Sequence, residues 1–144
     1  MKNNYIMPGP LRVLIVEDSL DDTLLIAAQL ERVGLDPVYE RVETAASLQA
    51  ALEVHTWDLI ICDYSMPQLA GPSALAIYRQ EGLDIPFIAV SGTVGEETVA
   101  EMMKAGAHDY VMKSNLARLV PAVRRELRAA QQRRDRRQTE TVAA

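Results

Sequence analysis

The chain has 144 residues, a formal net charge of -5, 49% hydrophobic side chains and one cysteine, which suits a single domain with its own core and rules out an internal disulfide. No run of about 18 apolar residues occurs, and the start MKNNYIMPGP has no apolar stretch of signal-peptide length, so a membrane-spanning helix is excluded and a cytoplasmic protein is expected. Residues 1–117 hold 17 acidic against 7 basic residues, while residues 118–144 hold 8 arginines against 3 acids; the acidic body is a poor nucleic-acid surface, and the tail has neither aromatics nor a recognisable reading motif.

In chain order, Leu11–Val16 is almost wholly apolar apart from Arg12 and reads as a strand covered on both faces. After Glu17-Asp18-Ser19, the spacing of Leu20, Leu24, Ala27 and Ala28, with Leu30 and Val33 near the end, predicts a helix closed by Gly34. Val38–Val42 is a weaker strand, with Pro37 at its start, where a missing N–H is tolerated. Thr44 is placed to cap a helix through Val54, with Ala45, Leu48 and Leu52 on one face.

Asp58–Cys62 gives the third strand, with Cys62 as a small buried hydrophobe. A loop through Gly71 then leads to a helix from about Pro72, with Leu75, Ile77 and Tyr78 inward. Pro86–Val90 is the fourth strand, Glu96–Ala105 a helix stopped by Gly106, and His108–Met112 the fifth strand. From Asn115 a last helix carries Leu116, Leu119, Val120, Val123 and Leu127 at intervals of three or four. Trp57 and Phe87, each near a strand start, read as core aromatics. Strand and helix alternate five times with short joins, which predicts an α/β fold: a five-stranded parallel sheet, doubly wound, with helices on both faces. Residues 1–130 form the domain, and 131–144 are an Arg-rich extension of the last helix or a frayed tail, whose apolar content past Leu127 is confined to Ala129, Ala130 and later Val142 and Ala143.

In such a sheet the ligand edge lies at the carboxyl ends of the strands. The stretch DLIICDYSMP ends an apolar run on Asp63, and the same edge collects Glu17 and Asp18 after the first strand, Ser91 after the fourth and Lys113 after the fifth. Each has an ordinary explanation: Asp18 or Ser19 as a helix cap, Asp63 and Ser91 as turn residues, Lys113 as a surface lysine. Their coincidence on one edge is what raises them. Three carboxylates this close repel, and one lysine cannot neutralise them. Magnesium can, since it takes one or two carboxylates together with carbonyl, water and phosphate oxygens; Lys113 and the Ser91 hydroxyl are then left as donors to an anion.

Other chemistries lack their residues. His55 and His108 lie on different connections with no second ligand at zinc spacing. Ser91-Gly92-Thr93-Val94-Gly95 lacks the ending of a phosphate-binding loop, and GxGxxG is absent.

Together, LIVEDS after the first strand, DLIICDYSMPQLAG, FIAVSGT and AGAHDYVMK resemble the receiver domain of bacterial two-component response regulators, over roughly residues 10 to 130. The resemblance implies a flavodoxin-like fold with Asp63 as phosphoacceptor. Glu17 and Asp18 would be the magnesium-binding pair, with the backbone carbonyl of Ser65 as a further ligand. Ser91 and Lys113 would contact the phosphoryl group, and Tyr110 would be the aromatic switch residue that moves inward when Ser91 is drawn to the phosphate. At one position the sequence departs from the family: Ser114 stands where a proline usually follows the lysine through a cis bond. A cis bond before a non-proline residue costs about 2.5 to 4 kcal/mol, so either the loop holds that strain or the lysine reaches its place by another path.

The function implied is transfer of a phosphoryl group from a sensor histidine kinase or histidine phosphotransfer protein to Asp63, which switches protein contacts, including a conditional homodimer. The face expected to carry them comprises the helix after Gly95, the fifth strand and the start of the last helix, with Val94, Val99, Met102, Met103 and Ala107 divided between core and surface. It is not expected to be a turnover enzyme. A magnesium-dependent phosphohydrolase would want a second catalytic carboxylate close after Asp63, where Ser65 stands. A degenerate receiver acting only by contact would not need the full set.

Overall fold

The computed structural model describes residues 9–92 and 95–143. Five strands and their helices alternate along the chain: β1 (Leu11–Val16), α1 (Leu20–Arg32), β2 (Pro37–Val42), α2 (Ala45–Val54), β3 (Leu59–Asp63), α3 (Gly71–Gln80), β4 (Phe87–Ser91), α4 (Glu96–Ala105), β5 (Asp109–Met112) and α5 (Leu119–Ala143), with a 3-10 helix over Lys113–Arg118. The sheet is wholly parallel in the order β2-β1-β3-β4-β5. The chain leaves β1 toward one edge and β3 toward the other, so the crevice of this topology opens between their carboxyl ends.

The strands explain the two cores. β3 and β4 are buried at every residue and β1 at all but Arg12, as strands covered on both sides must be. Leu14, Val16, Ile60, Cys62 and Ala89 face α2, α3 and α4, whereas Leu11, Val13, Ile15, Ile61, Ile88 and Val90 face α1 and α5. Edge strand β2 is mostly exposed, which is why its sequence signal is weak.

Several sequence expectations need correction. On α1, Ala27 and Leu30 are buried as expected, but Leu20, Leu24 and Val33 are exposed, and Thr23 and Ile26 take the inward positions. Thr23 can be buried because its hydroxyl donates to the Ser19 carbonyl at 2.9 Å. On α2, Ala45 is exposed and Ala51 takes the inward position. The last α-helix begins at Leu119 rather than Asn115, whose φ of -139° and ψ of 56° are non-helical. β3 and β4 each run one residue further than expected, so Asp63 and Ser91 are strand-terminal residues. Phe87 is buried as expected, while Trp57 is half-buried at the margin of its cluster.

Local chemistry sets the boundaries. Thr44 and Ser47 form a reciprocal capping box on α2. Gly106, at a φ of 123°, ends α4 in a conformation that favours glycine. At the start of α3, a Cβ on Gly71 would stand 2.2 Å from the Tyr64 ring, so only glycine lets the helix come down over the loop after β3. α5 continues through the Arg-rich stretch, where Ala130 is buried and Arg133 and Arg137 reach Asp84 in the loop before β4. Thr93, Val94 and the side chains of Val142 and Ala143 lie outside the described residues. Among the described residues, no helix is long and apolar enough to cross a membrane.

Candidate functional site

Asp63 ends the central strand β3, 6% exposed, at the mouth of the crevice. Its Oδ1 accepts the Ser65 backbone N–H at 2.9 Å, and its Oδ2 lies 3.1 Å from Lys113 Nζ. That ammonium also lies 2.9 Å from Glu17 Oε1 and 2.7 Å from Asp22 Oδ2. Burial works against the charge on Lys113, but the three carboxylates around it, Asp22, Glu17 and Asp63, outweigh it and hold its pKa above the ordinary lysine value.

Glu17 follows β1 directly and is fully buried. Burial pushes its carboxyl up to about 7; Lys113 and the Ser19 N–H, at 3.2 Å from Oε2, pull the other way, and the neighbouring Asp63 adds to the rise. Its Oε1 is close to Lys113 yet off the hydrogen-bonding direction, and so has no hydrogen-bond partner. Asp18 is exposed, and the cap of α1 is Ser19, whose Oγ accepts the Asp22 N–H at 3.1 Å; Asp18 is therefore free of capping duty. Glu17, Asp18 and Asp63 each present a carboxylate oxygen within 4.8 Å of the other two. Three converging hard oxygens, one of them from the buried Glu17, fit a hard divalent cation.

Ser91, fully buried at the end of β4, has its hydroxyl 2.8 Å from that of Ser65. Tyr110, on β5 opposite Ala89, is half-buried against the cluster under α4. The chain has no cis peptide bond among the described residues, so Lys113 reaches Asp63 with a trans bond to Ser114. The histidines stand apart: the ring of His108 accepts the Phe87 N–H at 3.0 Å, and His55 packs edge-on to Trp57. Burial of Cys62 raises its thiol pKa far above the ordinary value and leaves it unreactive.

Asp22 is the residue that sequence reasoning did not single out. An acid in the first turn of a helix is common for its interaction with the helix dipole, and its only local signal is its place on the same edge as Glu17 and Asp18.

Comparisons with known proteins agree with this geometry. The response regulator receiver domain family matches residues 13–124, and the chain belongs to that family of two-component signalling modules. It is 29% identical over 117 residues to the chemotaxis protein CheY of Bacillus subtilis, covering 81% of this chain and 97% of that protein. It is 33% identical over 118 residues to the transcriptional regulatory protein PrrA of Mycobacterium bovis, covering 81% of this chain but only 50% of PrrA. Among solved structures, the Mn(2+)-bound form of response regulator Rcp1 superposes with a TM-score of 0.65 at 26% identity, over 80% of this chain and 90% of that one. The fold is thus the flavodoxin-like receiver fold, and divalent-metal binding is typical of its members.

Proposed function

We propose that the chain is a phosphoacceptor whose Asp63 takes a phosphoryl group from the phosphohistidine of a sensor histidine kinase or a histidine phosphotransfer protein. The observation that carries this is the setting of Asp63: a nearly buried carboxylate with Lys113 at 3.1 Å and carboxylate oxygens of Glu17 and Asp18 within 4.8 Å. An Asp63 oxygen attacks phosphorus in line; the phosphorus–nitrogen bond breaks, and its electron pair returns to the imidazole. Lys113 offsets charge on the transferring group, and Ser91 supplies a hydroxyl to one of its oxygens. A magnesium ion held by Glu17, Asp18, Asp63 and the Ser65 carbonyl would neutralise the remaining charge, and the existence of a Mn(2+)-bound form of Rcp1 supports a divalent ion. Water attack on the phosphoaspartate returns Asp63, so the chain acts as a switch rather than a turnover enzyme on an external substrate.

The switch runs through Ser91. Its hydroxyl exchanges Ser65 for a phosphoryl oxygen, the loop before α4 follows, and the Tyr110 ring moves inward. Contacts then change on α4, β5 and the start of α5, where Met103 is 41% exposed and Met102 fully buried, a surface that suits a small conditional homodimer or a protein partner. Residues 1–130 form the receiver unit, and α5 continues beyond it as far as Ala143. The test is intact-mass measurement after treatment with acetyl phosphate, with and without magnesium. One phosphoryl adduct is expected in magnesium and none in an Asp63→Asn protein; an undiminished adduct in that variant refutes the assignment.

A further inference from the structure

Lys113 has three N–H donors, and three carboxylate oxygens surround them. The shortest contact is to Asp22, at 2.7 Å, ahead of Glu17 at 2.9 Å and Asp63 at 3.1 Å. Asp22 lies outside the triplet of converging carboxylates formed by Glu17, Asp18 and Asp63. It is well fixed: its N–H donates to the capping Ser19, and the buried face of α1 anchors the turn that carries it. The segment that carries Lys113 is not. It opens a 3-10 helix with no side-chain cap, and Asn115 leaves helical geometry two residues later. A lysine on a four-carbon stem at such a place has little in its own backbone to aim the amine.

We propose that Asp22 is a positioning residue for phosphoryl uptake: it holds one N–H of Lys113 on the rigid end of α1, so that another donor faces Asp63. The inference rests on the reading of Asp63 as phosphoacceptor. Asp22 acts through the amine, as a pivot. With Asp22 in place, the donor that now faces Asp63 Oδ2 turns to a phosphoryl oxygen without a search of lysine rotamers. A different role, as a decoy that draws Lys113 away from Asp63, carries the opposite sign: removing a pivot slows uptake, and removing a decoy speeds it.

The experiment uses the full chain with acetyl phosphate and magnesium. A bond from an Asp63 oxygen to phosphorus forms, the phosphorus–oxygen bond to acetate breaks, and acetate leaves with the electron pair. Rates of adduct formation are followed by intact mass for wild type, Asp22→Ala, Asp22→Asn, Lys113→Ala and the Asp22→Ala/Lys113→Ala double variant. Asp22→Ala is expected to slow uptake roughly tenfold, since small misplacements of a transition-state contact have effects of that order or larger. Asp22→Asn, which keeps an acceptor oxygen and a similar shape, is expected to retain most of the rate. In the Lys113→Ala background, Asp22→Ala should have no further effect, a non-additivity that a general loss of structure would not produce. A second readout needs no metal: the Lys113 side-chain ammonium resonance, sharp while the amine is held, should broaden in Asp22→Ala while backbone amides away from the site keep their positions. Uptake in Asp22→Ala as fast as wild type or faster, or an equal further loss on top of Lys113→Ala, overturns the inference alone. A wild type that takes up no phosphoryl group overturns the reading of Asp63 and this inference with it.

Discussion

The two ends of the sheet treat their carboxylates in opposite ways. At the amino-terminal end, Asp84 is met by Arg133 at 2.9 Å and Arg137 at 2.6 Å and Asp109 by Arg125 and Arg118, while Asp58 accepts the backbone N–H of Arg12 at 2.8 Å. At the carboxyl end, Glu17, Asp22 and Asp63 divide one ammonium among them, with Asp18 close by. The difference is legible in two acids. Burial would raise Asp84, but Arg137 and Arg133 outweigh it and hold the carboxyl below its ordinary value, whereas burial carries Glu17 up to about 7 despite Lys113. Matched charges at one end hold the fold together. Excess charge of one sign at the other end costs the fold stability and suits a hard divalent cation.

The sharpest way to break this comparison is to remove charge from the crowded end. Glu17→Gln should make the magnesium-free protein more stable at pH 8, by on the order of 2 kcal/mol, because a buried carboxylate forced to ionise is replaced by a neutral amide. Urea unfolding measures it, and the gap should narrow when magnesium is added to both proteins. A destabilised variant would show that Glu17 is matched after all.

The pH dependence follows from the same residue. Glu17 titrates near 7 in the folded protein against an ordinary value of 4.5, so between those limits the folded state holds a proton that the unfolded state has released. Stability from this group is therefore lost as pH rises from about 4.5 through about 7. Subtracting the Glu17→Gln profile from wild type isolates it; a difference that is flat across that window would contradict the assignment.

Metal binding gives the next effect in size. Asp18→Ala removes one of three converging oxygens and should weaken divalent-cation binding, titrated with magnesium, roughly tenfold, since magnesium takes few protein ligands and keeps much of its water. Amide shifts near Asp63 report the titration. Equal responses from both proteins would leave Asp18 without a role in the crevice.

Much of the crowded end could be read from the chain, because β1, β3, β4 and β5 are short runs that stop at their polar residues, and parallel topology brings those stops together. Asp22 could not be read, since only the path of Lys113 across the edge gives a first-turn acid a particular partner. The face of α1 was misjudged for a physical reason as well. Periodicity favours Leu20 and Leu24, but a threonine whose hydroxyl returns to the Ser19 carbonyl is as buriable as an alanine, and Thr23 and Ile26 join Ala27 and Leu30 on the buried face in place of the two leucines. The 3-10 turn after Lys113 was hidden in the same way: Leu116, Leu119 and Val120 continue the apolar spacing whether or not the backbone does.

The matched end offers the smallest effect and the cleanest contrast of sign. Asp84 and its two arginines are each a third or more exposed, and ion pairs so placed contribute about 0–1 kcal/mol, less as salt rises. Asp84→Asn should therefore destabilise the protein slightly, by about 0.5 kcal/mol at low ionic strength, with the difference fading in 1 M salt. It should also loosen the extension of α5, because Arg133 and Arg137 tie residues beyond Ala130 back to the loop before β4; a small drop in helix content by circular dichroism registers that. Magnesium should not change the effect, since the clamp lies at the opposite end of the strands from Asp63. A stabilised Asp84→Asn protein would mean that this end, too, carries uncompensated charge, and the contrast between the two edges would fail.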